Sequence, residues 1–123
     1  MQKIFLLAGA FLAFTGVAAG AFGAHALKQK LSTDLLNAFE VGVRYQMYHA
    51  LALIALGILY SNVNYQNSMI SASGWSFIVG TIIFSGSLYI LALSGVRIWG
   101  AITPIGGVFL LVGWLLFALG VYR

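Results

Sequence analysis

Along the chain, long apolar runs alternate with short polar connections. Ile4–Ala26 carries no formal charge over 23 residues. Tyr45–Tyr60 is a run of 16, Gly74–Leu93 of 20 and Trp99–Tyr122 of 24. None shows the period-two alternation of a half-buried strand. A bilayer core about 30 Å thick takes about 20 helical residues. Three runs meet that length outright. The second meets it by extending back through Val41, with Arg44 snorkelling to the headgroups. Lipid leaves backbone groups nothing outside the segment to bond, so the runs predict helices. The expected architecture is an all-α bundle of four transmembrane helices in one domain, at about 4–26, 41–60, 74–93 and 99–122.

The connections differ in character. Leu27–Arg44 holds Lys28, Lys30, Asp34, Glu40 and Arg44. Ser32 or Thr33 is a fit N-cap, and Leu35, Leu36, Phe39 and Val43 recur at helical spacing. Glu40 and Arg44 stand four apart in the favourable order for an ion pair, with Arg97 as a second partner for Glu40. This stretch predicts an amphipathic interfacial helix between spans one and two that runs into the second span. Ser61–Ser73 is polar and uncharged. Ser94–Ile98 is tight, so spans three and four form a hairpin. Thr103-Pro104 marks either the start of the fourth helix or a kink in it. Ala24-His25-Ala26 has the small-x-small form of a signal cleavage site, but the run before it is long for a signal and its glycines are regularly spaced. It therefore reads as a span.

Small residues repeat every seven positions: Gly9, Gly16, Gly23; Ser73, Gly80, Ser87, Ser94; Gly106, Gly113, Gly120. Ala50 and Gly57 do the same in the second span. Helices in lipid associate by close packing, which small residues permit, and a seven-residue period keeps one face inward along a left-handed crossing. Gly9, Gly16, Gly23, Gly57, Gly80, Gly106, Gly113 and Gly120 are therefore expected at helix–helix contacts. Gly16-x-x-x-Gly20 is a weaker signal for a dimer face.

Composition sharpens this picture. Hydrophobic residues make up 62% of the 123 residues and charged ones 7%, where a soluble domain needs roughly a quarter charged. The net charge of +4 comes from scattered residues rather than a stripe, which argues against nucleic acid as a partner. There is no cysteine, so disulfides and thiolate chemistry are excluded. Lys28, Lys30, Arg44 and Arg97 outnumber Lys3 and Arg123, which by the positive-inside rule puts the first and third loops in the cytoplasm and both termini outside.

Candidate chemistry gathers at one end. His25 closes the first span, and His49 lies in the first turns of the second. Both are expected near the same membrane face, with Glu40, Arg44, Gln46 and Arg97. These six residues are the candidate polar site, for an anion or a lipid headgroup. A metal at His25, His49 and Glu40 is a poorer reading, because histidines 24 apart form no ligand motif. Structural capping and anchoring account for the same residues. No cofactor is implied. Asp34 and Glu40 are the only carboxylates and no nucleophilic triad or phosphate loop is present, so the chain reads as not an enzyme. Four spans in this length resemble the small multidrug-resistance exporters. Their membrane-embedded glutamate is missing here, and the polar residues of dimeric fluoride channels find no convincing match.

Gly20-Ala21-Phe22-Gly23-Ala24-His25, Tyr45-Gln46-Met47-Tyr48-His49-Ala50-Leu51-Ala52, Phe84-Ser85-Gly86-Ser87-Leu88-Tyr89 and Gly100-Ala101-Ile102-Thr103-Pro104-Ile105-Gly106-Gly107 are together similar to the YgdD/YwdK group of small bacterial membrane proteins, the domain of unknown function numbered four-two-three. The resemblance covers essentially the whole chain. It implies a four-span protein of the bacterial inner membrane and no particular activity. The sequence thus points to a multi-pass bundle that organises the bilayer or binds lipid or a partner. The alternative is a small solute or ion conduit acting as a homo-oligomer.

Overall fold

The computed structural model describes residues 1–123. It is all-helical, with four long antiparallel helices. We label these α1 (Gln2–Leu27), α2 (Thr33–Tyr60), α3 (Ser68–Ser94) and α4 (Trp99–Tyr122). Of these, α1, α3 and α4 are long and apolar enough to cross a membrane. A short 3-10 turn, Val63–Tyr65, lies between α2 and α3.

The helix ends follow local chemistry. Ser32 is extended and its hydroxyl accepts from the Leu35 N–H at 3.3 Å, capping α2. No proline interrupts Thr33–Tyr60, so the amphipathic stretch and the second apolar run form one unbroken helix. Asn67 Oδ1 accepts from the Ile70 N–H at 3.1 Å, which starts α3 at Ser68, well before the Gly74 boundary that the apolar run suggested. The serines in between are helical, and Ser73 is buried and bonded. Gly95 ends α3 at φ 72, a left-handed cap that glycine adopts without penalty. Pro104 lies inside α4, which begins five residues earlier at Trp99. One feature had no sequence expectation: Ala19–Gly23 of α1 is a π-helical turn. Its Ala-Gly-Ala-Phe-Gly sequence holds the helix weakly, and such turns recur at functional sites.

The helices pack in chain order: α1 on α2, α2 on α3, α3 on α4. The seven-residue glycines sit at these contacts. A Cβ on Gly9 would meet the Ala50 carbonyl at 2.8 Å, one on Gly16 the Met47 sulfur at 2.6 Å, and one on Gly57 the Leu6 side chain at 2.7 Å. Gly23 faces Phe39, Gly80 faces Leu110, Gly113 faces Phe77 and Gly120 faces Ile70. Gly106 is the tightest of the eight, lying directly on the Phe84 backbone. The apolar core, Phe5, Leu53, Leu56, Ile70, Phe77 and Leu110, fills the half of the bundle nearer the termini. There Phe5 of α1 reaches α3, its ring seated over Gly74. Asn67 Nδ2 donates to the Gly120 carbonyl at 3.1 Å and ties the same end of α3 to α4.

Candidate functional site

The register of these contacts sets the depth of every polar residue. Gly9 lies opposite Ala50 and Ile54, Gly16 opposite Met47, and Gly23 opposite Phe39. His25 is therefore level with about residue 37 of α2, and His49 with about residue 13 of α1. Twelve residues of helix separate the two levels, about 18 Å at 1.5 Å per residue. The expectation that the two histidines share one face is corrected. The hairpin turns at Lys28–Ser32, not near Arg44, so more than four helical turns separate the start of α2 from His49.

The six candidate polar residues accordingly do not form one site. His25 and Arg97 are exposed at the loop end. Glu40 and Arg44 line a shallow cavity of about 200 Å³ with Gly20, Ala24 and Val43. Glu40 closes no ion pair with Arg44 or Arg97. Gln46 and His49 are buried, 5% and 4% exposed, at the middle of the bundle and on different sides of α2.

These two residues organise the middle of the molecule. The Gln46 side-chain N–H₂ donates to the Leu12 carbonyl and to the Thr15 hydroxyl oxygen, each at 2.8 Å. Its carbonyl accepts from the Tyr89 hydroxyl at 2.6 Å. One amide therefore joins α1, α2 and α3. His49 faces α4. Its Nδ1 contacts the Tyr45 carbonyl at 2.7 Å, and the Trp114 indole N–H donates to its Nε2 at 3.0 Å. A carbonyl only accepts and an indole only donates, so the two bonds specify the tautomer with hydrogen on Nδ1. Phe77 lies edge-on to Trp114, with ring centroids 4.8 Å apart. Hydroxyls join the remaining elements: Ser85 donates to the Gly42 carbonyl at 2.6 Å, Ser73 donates to the Gly113 carbonyl at 2.7 Å, and Ser87 pairs with Thr103 at 2.6 Å.

Two openings flank this layer. The cleft between α1 and α3, floored by α2, is lined by Leu12, Thr15, Gln46, Thr81, Ser85 and Tyr89, among others, and has a volume of about 380 Å³. The groove between α2 and α4, about 560 Å³, has Tyr45, Tyr48, His49, Phe84, Leu111 and Trp114 in its wall. The sequence reading passed over Thr15, Thr81, Tyr89 and Trp114 as site residues. A signal was present: Thr81, Ser85 and Tyr89 recur every four residues, which is one side of a helix. Ser87 faces α4.

Comparison with known proteins agrees with the membrane character of the chain. Residues 19–107 match the family described as "Protein of unknown function (DUF423)". A UPF0382 membrane protein of Staphylococcus saprophyticus is 47% identical over 122 residues, covering 99% of both chains. One of Staphylococcus haemolyticus is 43% identical over 122 residues, covering 99% of this chain and 98% of its own. The UPF0382 membrane protein YwdK of Bacillus subtilis is 42% identical over 115 residues, covering 94% of this chain and 93% of its own. No solved structure matches. With three helices able to cross a bilayer and relatives of this kind along nearly its whole length, the chain is a multi-pass bacterial cell-membrane protein and belongs to the UPF0382 family of membrane proteins, which contains the domain of unknown function DUF423.

Proposed function

We propose that this protein is a four-span, non-catalytic bundle that holds an acyl chain of a bilayer lipid in the groove between α2 and α4, and so organises lipid around itself. The fourth span is α2. Its 28 residues extend about 42 Å, and it packs antiparallel between α1 and α3, each able to cross the bilayer. A helix of that length held between two spanning neighbours crosses with them. Its first turns, Thr33–Val43, then serve at headgroup depth, and exposed Arg44 snorkels toward the loop end.

The observation that carries the reading is the groove itself. Its wall is apolar and aromatic, it opens sideways toward the bilayer, and the polar atoms of its His49–Trp114 pair are already satisfied. Such a surface fits a hydrocarbon chain better than a charged solute. Two features support a non-catalytic role. The imidazole and the Gln46 amide bond to protein atoms, and no carboxylate lies beside either. A conduit is the weaker reading, because the cleft and the groove share no lining residue. Between them run the Gln46–Tyr89 and Ser85–Gly42 bonds.

Gly107 provides the test. A Cβ there meets nothing closer than the Phe84 ring at 3.9 Å, so Gly107→Leu fills the groove without pressing on the bundle. The variant should keep its helicity and lose lipid that co-purifies with the wild type, as read by native mass spectrometry. Unchanged lipid retention in folded Gly107→Leu would overturn the assignment.

A further inference from the structure

The cleft between α1 and α3 has a different chemistry from the acyl groove. It brings together five hydrogen-bonding side chains, Thr15, Gln46, Thr81, Ser85 and Tyr89, and no charged one. Their protons can be traced one by one. Thr15 donates to the Phe11 carbonyl, Ser85 to the Gly42 carbonyl, and Tyr89 to the Gln46 carbonyl. Both Gln46 N–H groups are used on α1. Thr81 is the exception. Its side chain is 2% exposed, and its hydroxyl is the one buried side-chain polar atom in the protein without a partner.

Hydroxyls within helices commonly bond the carbonyl one turn back. Thr15, Ser94 and Thr103 do so here. Thr81 does not, although it sits mid-helix where lipid offers no alternative. Its free donor, beside the spare lone pairs of Ser85 and Tyr89, asks for a partner that both accepts and donates. An uncharged hydroxyl group does both.

The entrance fits the same ligand. Above Phe5, α1 and α3 stand apart, and exposed Ile82 lies at the opening. Gly86 lines the cleft, and a Cβ there would meet nothing within 4 Å. Helix packing does not require that glycine, and its effect is to leave the cleft open.

We propose that this cleft is a binding site for a neutral lipid alcohol, an amphiphile of the bilayer whose single uncharged hydroxyl bonds Thr81 while its hydrocarbon tail leaves between α1 and α3. The site is separate from the acyl groove, and neither assignment depends on the other.

The test uses the full chain in detergent, with dodecanol and dodecyl methyl ether as probes, binding being followed by native mass spectrometry. The ether retains an acceptor but cannot donate. The wild type should hold the alcohol about tenfold more tightly than the ether, the effect of one hydrogen bond at a buried site. Thr81→Val removes the donor that either probe's oxygen accepts from and should weaken both, and Gly86→Leu should block both probes while leaving Gly107-dependent lipid retention intact. If Thr81→Val fails to fold, Gly86→Leu and the wild-type preference decide. Equal binding of alcohol and ether, or unaltered alcohol binding in either folded variant, overturns the proposal. So does absence of alcohol binding to the wild type, which leaves a cleft holding water only. Displacement of dodecanol by a diacylglycerol identifies a glycerolipid source, and displacement by a polyisoprenol an isoprenoid one. Displacement by neither overturns the assignment.

Discussion

The cleft between α1 and α3 and the groove between α2 and α4 lie at nearly the same depth, yet they are built on opposite principles. The groove is a gap between helices whose buried polar pair is satisfied: His49 uses both ring nitrogens, and Trp114 its only donor. The cleft is a gap whose polar atoms are paired except for one, Thr81. The difference traces to neighbouring positions on α2. Gln46 and His49 are one helical turn apart, but Gln46 turns toward α1 and α3 while His49 turns toward α4. A turn of sequence separates a surface suited to hydrocarbon from one suited to a hydroxyl.

Both openings depend on the tight contacts around them, and the largest expected effect comes from breaking one. Gly106 lies on the Phe84 backbone and 2.9 Å from the Gly80 carbonyl, measured from the position a Cβ would take. Backbone cannot rotate away as a side chain can. Gly106→Ala should therefore cost about 3 kcal/mol, the upper end of the ordinary overpacking range, and should splay α3 from α4. A Cβ on Gly16 presses closest on the flexible Met47 side chain, with the Gln46 amide nitrogen at 3.4 Å, and Gly16→Ala should cost clearly less. Thermal unfolding of the two variants in one detergent checks the order. Equal losses would mean that α1 is held as tightly as α4.

Next in size is the amide that closes the cleft. Gln46→Leu removes three hydrogen bonds and strands the Tyr89 hydroxyl, while the Leu12 carbonyl keeps the Thr15 hydroxyl as a donor. Unpaired buried groups cost about 1–3 kcal/mol each in protein interiors, so a loss of about 2 kcal/mol is expected. Adding Tyr89→Phe to Gln46→Leu removes the stranded hydroxyl and should restore part of the stability. The double variant is the sharper measurement. If it is no more stable than Gln46→Leu, the Tyr89–Gln46 bond is not what the substitution breaks.

On the groove side, Trp114→Phe keeps an aromatic ring beside Phe77 and removes the indole donor from His49. One hydrogen bond in a mostly satisfied site corresponds to about 1 kcal/mol. The expected shift is smaller than for Gln46→Leu. A larger one would make His49 the principal lock of the bundle and Gln46 the secondary one.

Much of this was legible in the sequence, and the rest was hidden for physical reasons. Apolar run length and the seven-residue spacing of glycine both follow from helical periodicity, which one chain displays by itself. The boundary of α3 was misplaced because Ser68, Ser71 and Ser73 have loop-like composition, while the Asn67 cap and the Gly113 carbonyl that make them helical lie outside any local pattern. The grouping of His25 with His49 failed on register. Counting spans gives the order of helices but not where a hairpin turns, and the turn sits at Lys28–Ser32. The candidate site was half legible: Gln46 and His49 stood out as polar residues in an apolar run. Their partners did not, because Leu12 contributes only a backbone carbonyl and Trp114 is 65 residues away from His49.

The smallest expected effect has the opposite sign, which makes it the most discriminating. Glycine in a helix interior is destabilising by roughly 0.5–1 kcal/mol relative to alanine, because it gives up more backbone freedom on folding. At Gly9, Gly57, Gly80 and Gly106 that cost is offset by close helix contact, and alanine there would clash. Gly86 has no such contact, and nothing lies within 4 Å of a Cβ built on it. Gly86→Ala should therefore raise the unfolding temperature, by an amount corresponding to about 0.5 kcal/mol. The added methyl group points into the cleft, so the same substitution should weaken alcohol binding without abolishing it. Unfolding temperature and dodecanol retention, measured on one preparation, would then move in opposite directions. A fall in unfolding temperature would instead place a helix contact at Gly86 and narrow the cleft at that point.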